Sequence, residues 1–161
     1  LAGKPRLMIA DEPTSALDSL TRSQVIELLD RVVTDRRMGL LVISHDLAVV
    51  ASLVDRIAVM FAGRIVEEGP TESVFAEPLH PYTKILLAST PGSGQIDSAT
   101  ARTRGSVGQA ISQQGCRFAD RCSLATDSCR ELEPDLKDLG QGRRVRCPVV
   151  TSGRKSEDGY S

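Results

Sequence analysis

The chain has 161 residues, 20 of them basic and 21 acidic, for a formal net charge of −1. So even a balance gives no broad basic field for nucleic acid and no attraction to an anionic membrane surface. Hydrophobic residues make up 40%, as in ordinary globular proteins, while aromatic residues reach only 3% and tryptophan is absent. No apolar run is long enough to span a membrane and no signal-peptide pattern opens the chain, so the reading is a soluble, cytoplasmic protein.

The first informative segment is Leu7-Met8-Ile9-Ala10, an apolar run that leads straight into Asp11-Glu12-Pro13 and then Thr14-Ser15-Ala16-Leu17-Asp18. A buried strand ending on two carboxylates sets hard oxygen ligands at a sheet edge. Such oxygens suit a hydrated Mg2+ and the activation of water beside a nucleotide phosphate. An amphipathic helix follows: Val25, Leu28, Leu29, Val32 and Val33 share one face, with Arg22, Glu27, Asp30 and Arg31 off it. Asp18 or Ser19 is expected to cap its start and Gly39 to close its end. Leu40-Leu41-Val42-Ile43 is a second strand, followed by Ser44-His45-Asp46. Strand, helix and strand of this length form a βαβ unit with parallel strands. The acidic pair and His45 then fall at the same carboxyl edge, where such sheets bind ligands.

Residues 46–54 are predicted to form a short helix capped by Asp46. Residues 56–61 and 64–69 read as a β-hairpin around Ala62-Gly63, structural in role because no ionisable constellation sits on it. Thr71 is expected to cap a helix that stops before Pro78. His80-Pro81-Tyr82-Thr83 opens another, with Pro81 in the first turn, where its missing N–H costs nothing, and His80 as a polar neighbour of the helix start. Residues 91–113 are rich in Gly, Ser, Thr, Gln and Ala and read as a flexible linker; residues 150–161 read as a disordered tail.

All four cysteines fall between these segments, at Cys116, Cys122, Cys129 and Cys147, with five, six and seventeen residues between them. Two disulfides do not suit a reducing cytoplasm. Four thiolates suit zinc, although no tight Cys-x2-Cys knuckle is present, and equally a cubane iron–sulfur cluster, which allows wider loops. Spacing alone does not choose the metal. The region has few apolar residues, so a metal is expected to supply its order.

The run from Ile9 to Asp18 resembles the Walker B and D-loop segment of ABC-type ATPases, and His45 resembles their switch histidine. His80-Pro81-Tyr82-Thr83, together with Gly115 to Cys122, Cys129 and Arg144 to Pro148, resembles the oligopeptide, dipeptide and nickel permease branch of that family. The resemblance implies an α/β fold, the C-terminal part of a P-loop NTPase with a small cysteine-rich C-terminal appendage. Residues 1–79 would be the ATPase part, 80–90 the His-Pro-Tyr-Thr helix, 91–113 the linker, 114–149 the four-cysteine region and 150–161 the tail. The implied activity is ATP hydrolysis that energises import of oligopeptides or dipeptides, at the cytoplasmic face of the inner membrane.

On this resemblance Asp11 holds Mg2+ through water, Glu12 is the general base for the water attacking ATP, and His45 contacts the γ-phosphate. Ser15, Ala16, Leu17 and Asp18 form the D-loop that meets a second ATPase subunit, identical or paralogous. Two transmembrane permease subunits are the direct partners, an extracytoplasmic solute-binding protein is an indirect one, and nucleic acid is not a partner. Cys116, Cys122, Cys129 and Cys147 take a [4Fe-4S] cluster, with Zn2+ as the alternative, and Arg117, Arg121 and Arg130 lie near enough in sequence to offset its charge. No Gly-x4-Gly-Lys-Ser/Thr phosphate loop occurs, since Gly3-Lys4-Pro5 lacks the upstream glycine, and Gly92-Ser93-Gly94-Gln95 lies on the wrong side of His45 to be a signature sequence. The chain therefore reads as the carboxyl-terminal part of a longer subunit, inactive alone. A soluble ABC ATPase acting on ribosomes or DNA gives no reason for His80-Pro81-Tyr82-Thr83 with four cysteines. A metal-binding nucleic-acid module is at odds with the balanced charge.

Overall fold

The computed structural model describes residues 5–15, 17–89 and 114–153. The chain is α/β and divides into two units, Leu1–Asp55 and Arg56–Ser161. The expected boundary after residue 79 falls inside the second unit, which holds both the hairpin and the cysteine region. The linker expected at 91–113 lies outside the described residues.

In the first unit, β1 (Leu7–Asp11) pairs in parallel with β2 (Gly39–Ile43), Leu7 opposite Gly39 and Asp11 opposite Ile43. Helix α1 (Ser19–Arg36) makes the crossover. Asp18 caps it, one carboxylate oxygen accepting from the N–H groups of Leu20 and Thr21 at 3.0 Å each. The end is closed by Arg37 in the left-handed region at φ 50°, and not by Gly39, which instead begins β2 with its N–H on the Arg6 carbonyl. Val25, Leu29, Val32 and Val33 are half-buried as the helical period requires, but Leu28 is 58% exposed and Ile26 is half-buried in its stead. Helix α2 (Leu47–Leu53) is capped by Asp46, which accepts from the Val49 N–H at 3.4 Å. The Arg22 guanidinium meets the Asp46 carboxylate at 2.7 Å and so ties α1 to the start of α2.

In the second unit, β3 (Arg56–Phe61) and β4 (Arg64–Pro70) form the predicted hairpin. Ala62 and Gly63 both take positive φ, 48° and 78°, which matches the right-handed twist of the flanking strands. The sheet continues through β6 (Arg144–Val145) to β5 (Lys137–Asp138), all antiparallel, in the order β3-β4-β6-β5. Opposite the Val59/Met60 step the register slips, so that Val59 faces Glu67 while Met60 faces Ile65, and Val66 is the extra residue of a bulge. The slip breaks the in–out alternation and leaves both Val66 and Glu67 buried.

Helix α3 (Thr71–Ala76) has Pro70 at its cap position with no side-chain hydrogen bond. Thr71, expected as the cap, is the first helical residue and is buried. Helix α4 (Pro81–Ala88) starts as predicted, with Pro81 in its first turn. After a 3-10 turn at Ala119–Arg121 come the single turn α5 (Ser128–Glu131) and α6 (Pro148–Gly153). Helix α6 places residues 150–153 in regular structure, where a disordered tail was expected from 150; residues 154–161 lie outside the described residues. Leu79, Val145 and Cys147 form a buried cluster, joined by Leu139, Val149 and Val150. The cysteine region shares this core through the pairing of β6 with β4. No helix among the described residues is long and apolar enough to cross a membrane.

Candidate functional site

The parallel pairing of β1 and β2 brings the two distant polar segments of the first unit together. The Glu12 N–H donates to the Ile43 carbonyl at 2.8 Å, so the chain leaves both strands at the same level. Glu12 then adopts φ 47°, a left-handed conformation uncommon for a residue with a side chain. Its carboxylate Oε1 accepts from the His45 N–H at 3.2 Å and lies 2.8 Å from His45 Nδ1. That hydrogen bond, and then the carboxylate's charge, raises the His45 imidazole above its ordinary value. Asp11, at the end of β1, is exposed and takes no part in the Glu12–His45 contact.

Between Pro13 and α1, Thr14, Ser15, Leu17 and Asp18 do structural work that can be traced. Thr14 is buried, and its carbonyl accepts from the Leu17 N–H at 3.3 Å. Ser15 donates its hydroxyl to the Glu12 carbonyl at 3.0 Å. Asp18, besides capping α1, accepts from the Thr21 hydroxyl at 2.7 Å, and these bonds hold its carboxyl below the usual range. Ala16 lies outside the described residues.

The four cysteines line a single cavity in the second unit, with His80 and Phe118 among the other walls. All four are free thiols, three of them buried and Cys116 half-buried. Burial pushes the Cys116 thiol up, and the other three sulfurs add to the shift; burial also pushes up Cys147. The loop that carries Cys116 is fastened by its N–H, which donates to the Cys129 carbonyl at 2.7 Å. Among the described residues, no three His, Cys, Asp or Glu side chains are placed so as to hold a metal ion. The four cysteines share one cavity, and the Cys129 sulfur meets the Thr126 hydroxyl at 3.3 Å.

Residues 66–129 match the family described as the oligopeptide/dipeptide transporter, C-terminal region. The "Dipeptide transport ATP-binding protein DppD" of Haemophilus influenzae is 45% identical over 160 residues, which is 98% of this chain and 48% of that protein. The protein of the same name from Escherichia coli is 43% identical over 157 residues, 96% of this chain and 48% of the relative. This chain belongs to the family of peptide-transporter ATP-binding proteins. A "Putative peptide import ATP-binding protein" of Brucella abortus is 42% identical over 92% of this chain and 45% of its own length. The chain thus spans about half the length of the curated relatives it matches. Among solved structures, a cbiO1 from Clostridium perfringens, described as part of the ABC transporter complex cbiONQ, is 32% identical over 46% of this chain and 30% of that one, with a TM-score of 0.43.

Sequence reasoning missed a buried hub on the hairpin it had read as free of ionisable groups. Glu67 is 0% exposed; its carboxylate accepts from the Leu79 N–H at 2.9 Å, the His80 N–H at 2.8 Å and Arg143 Nη2 at 2.8 Å. The same Arg143 nitrogen donates to the Glu77 carbonyl at 2.6 Å. One carboxylate thereby joins β4, the start of the His80 segment and the strand that leads to Cys147. A bulge has no sequence signal of its own, and without it Glu67 reads as an outward-facing strand residue. His80 was expected beside the start of α4 and is there as its cap, accepting from the Tyr82 N–H at 3.0 Å through Nδ1. It is also a wall of the sulfur cavity, and burial lowers its imidazole to about 4.

Proposed function

We propose that this chain forms part of an ATP-hydrolysing subunit that energises the import of dipeptides or oligopeptides through an ABC transporter. The observation that carries the reading is the pairing of Glu12 with His45, 2.8 Å apart at the carboxyl ends of adjacent parallel strands. Support for the substrate class comes from relatives named for dipeptide transport and peptide import.

In this reading Glu12 draws a proton from the water that attacks the terminal phosphate. His45 turns from Glu12 to that phosphate and returns once it has left. The exposed Asp11 carboxylate has the hard oxygen chemistry that Mg2+ takes, through water, and the ion neutralises phosphate charge when bound. Ser15, Ala16, Leu17 and Asp18 face a second ATPase subunit. The phosphate-cradling loop and signature sequence are supplied by sequence outside these 161 residues. Transmembrane permease subunits are the partners that receive the motion, so the subunit works at the cytoplasmic face of the inner membrane.

The four cysteines are proposed to hold a thiophilic group, a [4Fe-4S] cluster with Zn2+ as the alternative, in a structural role. Support is the convergence of four free thiols on one cavity; ligation needs the side chains to turn toward a common centre and lose their protons. The wide spacing without a Cys-x2-Cys knuckle favours the cluster.

The test is ATP hydrolysis and dipeptide uptake by the full-length subunit with its permease partners in proteoliposomes. Glu12→Gln is expected to lower hydrolysis by about 10²- to 10⁴-fold, the usual worth of a general base, while ATP still binds. Hydrolysis that survives this substitution unchanged would remove Glu12 from the reaction.

A further inference from the structure

Arg22 stands in the first turn of α1, its N–H on the Asp18 carbonyl at 2.9 Å, and its side chain leaves the helix towards two other segments. Nη1 donates to the Asp46 carboxylate at 2.7 Å, and Nη2 lies 3.5 Å from the Leu17 carbonyl oxygen. Leu17 belongs to the segment ahead of α1, and Asp46 directly follows His45. One guanidinium thus spans two segments that the proposed reaction uses.

The contact is not a plain ion pair. A guanidinium that serves one carboxylate alone does best with two parallel N–H bonds. Here Asp46 receives a single nitrogen of Arg22, and Arg22 Nε is buried with no hydrogen-bond partner. A donor left in that state costs stability. The fork is turned towards Leu17 instead of giving a second bond to Asp46.

The loop that carries His45 has two anchors. Glu12 holds the His45 N–H at 3.2 Å and the ring at 2.8 Å. Beyond His45, Arg22 holds the Asp46 carboxylate, and the Ser44 hydroxyl accepts from the Asp46 N–H at 3.0 Å. When His45 turns from Glu12 to the phosphate the first anchor opens, and the loop pivots on Asp46.

We propose that Arg22 is a positioning residue that couples the Leu17 segment, which meets the second ATPase subunit, to the loop that carries His45. Closure of the subunit contact then sets His45 in place at the terminal phosphate. The inference rests on the reading of this chain as part of an ATP-hydrolysing subunit. Arg22 touches no reacting atom, so its loss acts on kcat and leaves KM for ATP alone.

The test measures kcat and KM for ATP in the full-length subunit assembled with its permease partners in proteoliposomes. Arg22→Met removes both contacts and keeps an unbranched stem; Asp46→Asn removes the charge and keeps a cap for α2. Each is expected to lower kcat about 2- to 30-fold at unchanged KM. The double variant is expected to be no slower than the slower single one, because both break one link. Arg22→Lys keeps a charge beside Asp46, but one ammonium does not span to Leu17 as well, so its kcat is expected to stay low. Full activity in Arg22→Lys overturns the proposal, and so do losses that multiply in the double variant or a change confined to KM. Glu12→Gln in the same assay separates this inference from the reading beneath it. If Glu12→Gln abolishes hydrolysis while Arg22→Met keeps the full rate, only the coupling falls. If Glu12→Gln leaves hydrolysis intact, the ATPase reading falls and the coupling with it. Should Arg22→Met fail to assemble, Arg22→Lys and Asp46→Asn decide, and full kcat in either overturns the proposal.

Discussion

His45 Nδ1 and Glu12 Oε1 are 2.8 Å apart although 33 residues separate them in sequence. The contact is a consequence of register: Asp11 pairs with Ile43, so the residue after each strand, or the next but one, meets its counterpart across the gap. Because the Glu12 carboxylate raises the His45 imidazole above 6.5, the protonated ring is the form the contact stabilises. Its contribution to folding is complete below the unfolded value of 6.5 and is lost as pH rises through the folded one. In a ¹H–¹⁵N NMR titration His45 is expected to titrate above 6.5, and Glu12→Gln to return it toward that value. A His45 midpoint that ignores the substitution would show that the contact does not persist in solution.

Glu67 offers a test of the second unit. Replacing it with glutamine keeps the size and one acceptor oxygen but leaves Arg143, itself 7% exposed, with the exposed Glu77 carboxylate at 3.9 Å as its counter-charge. Breaking one side of a buried ion pair costs about 3–5 kcal/mol. Urea unfolding of Glu67→Gln is expected to show a loss of that order. A loss below about 1 kcal/mol, the worth of an exposed pair, would demote the hub to a surface contact.

The sequence was most legible where periodicity and turn chemistry act locally. The βαβ unit, the Ala62-Gly63 hairpin and the Pro81 helix start all follow from side chains within a few residues of each other, and the structure has each of them. The Asp11-Glu12 and His45 segments were legible as neighbours because parallel pairing leaves little choice of where two strand ends fall. What was illegible depends on contacts across about 80 positions. Val145 pairs with Glu67 through an edge strand of two residues, too short to give a pattern, and that pairing gives the cysteine region its core. The helix stop at Arg37 failed as a reading for a smaller reason: an arginine in the left-handed region carries no glycine to announce it.

Gly115 marks the tightest point of the cysteine region. At φ +72° its side-chain position lies 2.5 Å from the Cys129 carbonyl oxygen, a backbone atom that has no rotamer to yield. Gly115→Ala must therefore move the backbone, and with it the Cys116 N–H bond to Cys129. The expected cost is about 1–3 kcal/mol of strain, with faster labelling of the buried thiols by a disulfide reagent. Labelling at the unsubstituted rate would mean that the loop has room the structure does not show.

Asp18 carries two assignments that substitution can separate. It caps α1 through Leu20, Thr21 and the Thr21 hydroxyl, and the proposed D-loop gives it a second subunit to meet. Those bonds hold its carboxyl below 3.8, so the cap is fully charged above that value and is lost as pH falls through the folded one. Asparagine caps nearly as well as aspartate, whereas alanine does not cap. Amide exchange in the first turn of α1 is expected to speed up several-fold in Asp18→Ala and to stay near its original rate in Asp18→Asn. If capping is all that Asp18 does, ATP hydrolysis by the assembled full-length transporter recovers in Asp18→Asn; if it also meets the second subunit through its charge, hydrolysis stays low while the helix is intact.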